Sequence, residues 1–469
     1  MKSSIITRRN KKMERKEAEK LLYKRPSSVP KTEEEKLKVE AFIKDYRHFI
    51  DNAKTERQAV IYTEGEALAA GFTPYTHGAT LKAGDKVCYV NRDKSVIFAV
   101  IGKKPLSEGC RIIASHIDNP RLDLKPQPLY ENTGIAYFKT HYYGGIKKYQ
   151  WTAIPLELHG VVYRADGTRV DINIGADPQD PVFYISDLMP HIGKDQMSKT
   201  ASEFISGEGL NIIGGSLPID EDGGVKLRVL SILNEKYNIT ERDLITAELT
   251  AVPAMMSREV GFDRSLIAAY GHDDRICAYP SFRALLENGV PEHTSVIMLA
   301  DKEEIGSYGV TGLGSESYPD FIRALCEAAG EDFLACKKNS ICLSADVGGA
   351  YDPCYADAYE AANSTYIHGG VAVSKYTGSR GKGGCSDASA ETLSKLALIF
   401  DKAGVAWQVG EYGKVDQGGA GTVASEIAHF GIEVIDCGVP ILSMHSVTEL
   451  ASKYDIYEMY KASVAFLNS

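Results

Sequence analysis

Five short polar clusters carry the residues best suited to hold a divalent cation: His116-Ile117-Asp118, the pair Asp273-Asp274 in HDDR, Asp301-Lys302-Glu303-Glu304, Asp346, and His445. Taken singly, each reads as a cap or a turn residue. Together they supply two imidazoles and several carboxylates, and borderline nitrogen with hard oxygen donors is the ligand chemistry of zinc, manganese or cobalt. Glu303 and Glu304 are adjacent, so on an extended segment their side chains point to opposite sides. One carboxylate can then bind metal while the other faces the reacting water. His116 and Asp118 fall on the same side of an extended chain, which lets the carboxylate hold the second imidazole nitrogen and fix its tautomer. HDDR offers two adjacent aspartates.

These clusters need elements to position them. Four follow β-rich runs: RIIAS leads into His116, SVIMLA (295–300) into Asp301, ICLSA (341–345) into Asp346, and PILSM (440–444) into His445. KVCYVN, SVIFAVIG and IEVIDC (432–437) add further short strands, and helical patterns such as YPDFIRALCEAAG and SDASAETLSKLALIFDKAG lie between them. The stretch TEEEKLKVEAFIKDYRHFIDNAKTERQAVIYTEGEALAAGF has apolar residues at helical spacing and reads as two amphipathic helices. Strands alternating with helices predict an α/β fold with parallel sheet character, and such sheets bind ligands beyond the carboxyl ends of their strands. Residues 127–250 break this rhythm with FKTHYYGGIKKYQW and LELHGVVYRADGTRVDINIG, two hairpin-like runs around Gly and Asp-Gly turns. The expected layout is one domain from 17–126 and 251–469, interrupted by an inserted β-rich domain at 127–250.

Bulk properties narrow the function. The chain has 469 residues, 44% hydrophobic and 25% charged, enough for two domains with substantial cores. A formal net charge of -10 leaves no broad basic surface for a phosphate backbone, so nucleic acid is not an expected partner. No apolar run approaches the roughly 20 residues that span a bilayer, and the amino terminus lacks the apolar core of a secretory signal. A membrane partner is not expected either, and the expected location is the cytoplasm. The basic stretch between Arg8 and Arg15 reads as a solvated tail rather than a transit peptide, with Met13 an alternative start. Nine cysteines without a CxxC pair suit free thiols in a reducing compartment better than a disulfide framework.

Longer segments carry a resemblance. SHIDNPRLDLKP, GFDRSLIAAYGHDDRICAY, DKEEIGSYG, SADVGGAYDP, KYTGSRGKGGCSDASAE, GKVDQGGAGTVASEIA and LSMHSVTELASKYDIY, in that order, closely resemble the aspartyl aminopeptidase and vacuolar aminopeptidase I family, above all its bacterial branch. The match runs from about Glu17 to the carboxyl end. It implies a zinc-exopeptidase-like mixed sheet flanked by helices, interrupted by a smaller β-rich dimerisation domain, with dimers assembling into a closed dodecamer. The implied activity is that of a metalloaminopeptidase, acting on peptides with a free amino terminus and using two divalent ions per subunit, zinc above all.

Carried over residue by residue, the family pattern makes Asp273 the bridging carboxylate and Asp274 its supporting neighbour. His116 and Asp346 complete one metal site, and Glu304 and His445 the other. Glu303 falls on the general base that takes a proton from the activated water, and Asp118 stands behind His116. His191, in SDLMPHIG, matches a histidine that family members place into a neighbouring subunit's active site.

Several features are left for the structure to place. GSRGKGG (378–384) lacks the spacing of a phosphate loop, so its basic residues Lys375, Arg380 and Lys382 read as lining the substrate pocket or a subunit contact. In the pocket they would favour acidic amino-terminal residues by charge. Tyr142, Tyr143 and Tyr149 suggest an aromatic interface on the inserted domain, with core packing as the alternative. A carboxypeptidase or an N-acyl amino-acid deacylase on the same scaffold is the nearest alternative. A non-catalytic assembly protein is a further one, against which the filled ligand positions count.

Overall fold

The computed structural model describes residues 15–469. The readings of the basic tail from Arg8 and of Met13 lie outside the described residues. The two expected amino-terminal helices are Glu33–Asn52 and Glu56–Ala69, and each starts at a capping box. The Thr32 and Thr55 side chains accept from the backbone of Glu35 and Gln58, which reach back to the cap backbones, so amide donors left over at each helix start are satisfied reciprocally. Val39, Ile43, Tyr46, Phe49 and Ile50 form the buried face of the first helix, which packs on the helices His272–Glu287 and Lys453–Leu467.

Among the described residues three sheets organise the chain. The largest has nine strands in the order Thr73–Pro74, Lys86–Asn91, Ser95–Val100, Ser295–Ala300, Arg111–His116, Ile341–Ser344, Glu433–Gly438, Val371–Ser374 and Trp407–Val409. Its centre is parallel: Ser295–Ala300, Arg111–His116, Ile341–Ser344 and Glu433–Gly438 run side by side in one direction. Helices and apolar clusters cover both faces, which is why these strands read as continuous apolar runs rather than alternating ones. Every residue of Ser295–Ala300 is buried. Ile113 and Leu343 are fully buried in the same layer, and truncating either to alanine costs about 2–5 kcal/mol. The fold is therefore the mixed α/β sheet flanked by helices that the sequence predicts.

The second sheet lies between Arg121 and Pro253, with seven strands from Arg121–Asn132 to Glu248–Pro253. Glu248–Pro253 pairs with both Arg121–Asn132 and Pro155–Tyr163, so six strands close into a ring and only Arg169–Ile174 hangs outside it. This ring has its own apolar core, including Leu122, Phe138, Trp151 and Leu156. A third, five-stranded sheet contains Arg258–Val260, Leu266–Ala269, Glu449–Ser452, Pro440–Leu442 and Gly348–Gly349. Among the described residues no helix is long and apolar enough to cross a membrane.

Candidate metal centre

The parallel strands place their following residues at one end of the large sheet. His116 ends the strand Arg111–His116, Asp346 follows Ile341–Ser344, and Glu303 and Glu304 lie in a short turn just after Ser295–Ala300. Asp273 sits at the start of His272–Glu287, where its φ/ψ of -78° and 105° departs from helical values. His445 follows the strand Pro440–Leu442.

These five stretches converge. The two oxygens of Asp273 face opposite imidazoles: Oδ1 lies 3.1 Å from His116 Nε2, and Oδ2 lies 3.1 Å from His445 Nε2. His116 Nε2 is also 3.8 Å from Asp346 Oδ1 and 3.9 Å from Glu303 Oε2, while His445 Nε2 is 3.4 Å from Glu304 Oε2. Two trios result, His116-Asp273-Asp346 and Asp273-Glu304-His445, each with its donor atoms within 4.8 Å of one another. A third grouping, His116-Glu303-Glu304, meets the same limit. Two donors about 2.0–2.1 Å from one tetrahedral zinc stand roughly 3.3–3.4 Å apart, so these separations suit a metal between them.

The electrostatics point the same way. Burial pushes the Glu303 carboxyl up to about 8, with the charges of Asp346, Asp118 and Asp273 adding to it and His116 opposing. Burial also holds Glu304 far above the usual carboxylate range, and the charge on Asp273 reinforces it. For His445, burial alone lowers the pKa, but Asp273 and Glu304 outweigh it and raise it to about 10. Asp273 is held low because the two histidines overcome its burial. Glu304 Oε1 is buried without a hydrogen-bond partner among the described residues. Carboxylates crowded this closely call for positive charge among them, and divalent metal would supply it.

Geometry distinguishes the two aspartates of HDDR. Asp273 faces both imidazoles, whereas both carboxylate oxygens of Asp274 are buried without a hydrogen-bond partner among the described residues. Burial holds the Asp274 carboxyl far above its ordinary range.

Asp118 is fully buried and works differently from the simple pairing read from sequence. His116 Nδ1 lies 3.0 Å from the Asp118 carbonyl oxygen, closer than the 3.4 Å to its carboxylate. The carboxylate instead gathers neighbours. It accepts from the backbone amides of Glu303 at 3.1 Å and Glu304 at 3.3 Å, and from the Tyr143 hydroxyl at 2.7 Å.

Four sequence-selected residues do not line the cavity over this centre in their own chain. The cavity over it, about 720 Å³, is lined by Asp273, Glu303, Glu304, Asp346 and His445, with Lys147, Gln150 and Thr422 at its walls. Lys375, Arg380 and Lys382 are not among its lining residues; Lys382 pairs with Asp387 at 3.2 Å and stands over the Tyr376 ring. His191 is exposed in the turn Pro190–Ile192 and is not a lining residue either.

Sequence reasoning missed Lys147 and Glu449. Lys147 sits in GGIKKYQ, which contributes to the cavity because the Gly145 carbonyl oxygen lies 2.8 Å from His445 Nδ1. Glu449 is 1% exposed, and its oxygens accept from the backbone amides of Asp273 at 3.0 Å and His445 at 2.7 Å. Its one sequence signal is an acidic residue opening the otherwise uncharged strand Glu449–Ser452. His445 has a left-handed backbone, φ 62°, a conformation that costs a non-glycine residue about 1–3 kcal/mol unless its surroundings fix it.

Imidazoles and carboxylates gathered under an open cavity form a group that could hold metal. Residues 49–467 match the family described as Aminopeptidase I zinc metalloprotease (M18), and the chain belongs to that family. It is 48% identical over 435 residues to a probable M18 family aminopeptidase 1 of Clostridium acetobutylicum, covering 90% of this chain and 94% of that protein. The corresponding protein of Thermotoga maritima is 45% identical over 435 residues, covering 91% and 95%. The crystal structure of an M18 family aminopeptidase from Thermotoga maritima matches with a TM-score of 0.91 at 43% identity, covering 95% of this chain and all of that one. The chain is thus a zinc metallo-aminopeptidase by family. The mApe1 dodecamer of S. cerevesiae shares the fold, with a TM-score of 0.75 at 19% identity over 91% of this chain and 96% of that one.

Proposed function

We propose that the chain removes amino-terminal residues from peptides at a two-metal centre bridged by Asp273. His116 and Asp346 complete one site, Glu304 and His445 complete the other, and Glu303 is the general base. The observation that carries this reading is the placement of the two Asp273 oxygens, each 3.1 Å from a different imidazole. Zinc ions, when bound, acidify the attacking water and polarise the scissile carbonyl.

The chain's own residues do the rest. Glu303 takes the proton from the water and passes it to the departing amine. Asp118 holds the backbone of both glutamates, so base and ligand keep a fixed relation. The carboxylates lining the cavity attract the substrate's free α-ammonium, and Lys147 offers a cation to an acidic group further along.

The ring-shaped domain is read as a dimerisation unit. His191 lies among exposed Leu188, Met189 and Ile192, an apolar stretch suited to burial against another copy. On this reading it delivers the imidazole to a neighbouring cavity, while Lys375, Arg380 and Lys382 belong to a subunit contact. The dodecameric yeast relative supports a homo-oligomer. A cytoplasmic location fits the nine free cysteines.

The test loads metal-free protein with zinc, counts bound ions by elemental analysis, and compares aminoacyl anilides with their N-acetylated forms. Two ions per chain and cleavage confined to the free amine are expected. A single ion, or preference for blocked substrates, overturns the reading.

A further inference from the structure

Two buried carboxylates flank the centre, one on each side. Asp118 accepts from the backbone amides of Glu303 and Glu304. Across the centre, Glu449 does the same for Asp273 and His445, with Oε2 on the first amide at 3.0 Å and Oε1 on the second at 2.7 Å. We propose that Glu449 is a positioning residue that clamps these two backbones and thereby builds the metal site formed by Asp273, Glu304 and His445. The proposal rests on the two-metal reading above.

The argument is geometric. Asp273 and His445 come from chain segments far apart in sequence, and both have backbones that regular structure does not hold. Asp273 is non-helical inside its helix, and His445 is left-handed at φ 62°. Neither amide finds its partner in a helix or strand ladder. Glu449 is fixed because it begins the strand Glu449–Ser452, where it pairs with Ala269, just ahead of the His272–Glu287 helix. A single rigid carboxylate therefore sets the distance between the two ligands, whose side chains meet at 3.1 Å. The opposite site is less dependent on it, because His116 is seated by Asp118 and Asp346 follows its own strand.

A glutamine at this position has one acceptor oxygen for two amides, and its NH2 faces the other N–H. Glu449→Gln is expected to weaken zinc at the His445-side site by about 10- to 100-fold, with a smaller loss at the His116-side site, which shares Asp273. Zinc titration into metal-free protein reads the two affinities, and anomalous scattering from crystals reads which site empties. Asp455→Asn is the comparator: Asp455 is equally buried and accepts from the amides of His368 and Gly370, but sits away from the cavity. It is expected to lower stability with both zinc affinities intact. If Glu449→Gln does not fold, Glu449→Asp, which reaches only one of the two amides, takes its place. Wild-type affinities at both sites in the glutamate variant overturn the proposal, and so does an equal loss at both. Wild-type protein that binds fewer than two ions overturns the two-metal reading instead.

Discussion

The Tyr143 hydroxyl donates to Asp118 at 2.7 Å, and this bond ties the ring-shaped sheet to the candidate metal centre. Tyr143 ends a strand of that sheet, and the Arg121 guanidinium lies 4.1 Å from its ring centroid. Asp118 in turn holds the backbones of Glu303 and Glu304. Tyr143→Phe removes one hydrogen bond to a buried carboxylate, so kcat is expected to fall about 10-fold with KM little changed. Steady-state kinetics with protein of verified zinc content checks it; an unchanged kcat would show the link to be packing alone.

Glu303→Gln removes the base but keeps the shape. Activity is expected to fall about 10²- to 10⁴-fold with zinc content unchanged. Glu304→Ala and His445→Ala are expected to lose zinc as well. Elemental analysis beside turnover separates the two classes, and wild-type turnover by the glutamine variant would remove Glu303 from the role.

Lys147 carries the one lysine or arginine charge among the described residues lining the cavity. Lys147→Glu is expected to lower kcat/KM for acidic amino-terminal residues at least 10-fold relative to neutral ones, a difference of about 1.4 kcal/mol. A panel of aminoacyl reporters measures the ratio. An unaltered ratio would mean that selection lies elsewhere, with subunit-borne residues the next to examine.

Chelation is expected to abolish turnover and lower the unfolding midpoint, with zinc restoring both. Free zinc at a thousand times its dissociation constant stabilises the folded chain by about 4.1 kcal/mol per independent site. Calorimetry with and without chelator reads the shift. Equal midpoints would argue against a resident ion.

Asp455 gives stability a pH dependence remote from the centre. Its burial pushes the carboxyl from an ordinary 3.8 up to about 7, although Ser28 and two backbone amides pull the other way. Between those values the folded chain keeps a proton that the unfolded chain has released, so stability falls as pH rises, by about 1.4 kcal/mol per unit. Asp455→Asn removes this contribution. Denaturant midpoints of metal-free wild type and variant, compared from pH 4 to 7, are expected to converge toward the higher pH, and parallel curves would contradict it.

Much of this was legible in the sequence because strand ends speak plainly. Ser295–Ala300 and Ile341–Ser344 are continuous apolar runs that stop at acidic residues, so both the sheet and the place of Glu303, Glu304 and Asp346 could be read together. Asp273 could not be separated from Asp274 by residue type, since only the backbone turn decides which carboxylate faces the imidazoles. Glu449 escaped because its work is done on backbone amides, which leave no mark on the identities of its partners. Lys375, Arg380 and Lys382 were read as lining the substrate pocket or a subunit contact, and charge alone does not choose between the two; within one chain they are not among the residues lining the cavity. Lys147 was hidden for the opposite reason, in a segment that belongs by sequence to the other domain.

The five converging residues occur along the chain in the order His116, Asp273, Glu304, Asp346, His445. During synthesis the last of them emerges only after the nine- and seven-stranded sheets and most helices have left the ribosome. On the two-metal reading, a nascent fragment lacks His445, and with it one complete ligand set, until nearly the whole polypeptide exists. Residue order thus delays the completed centre to the end of synthesis.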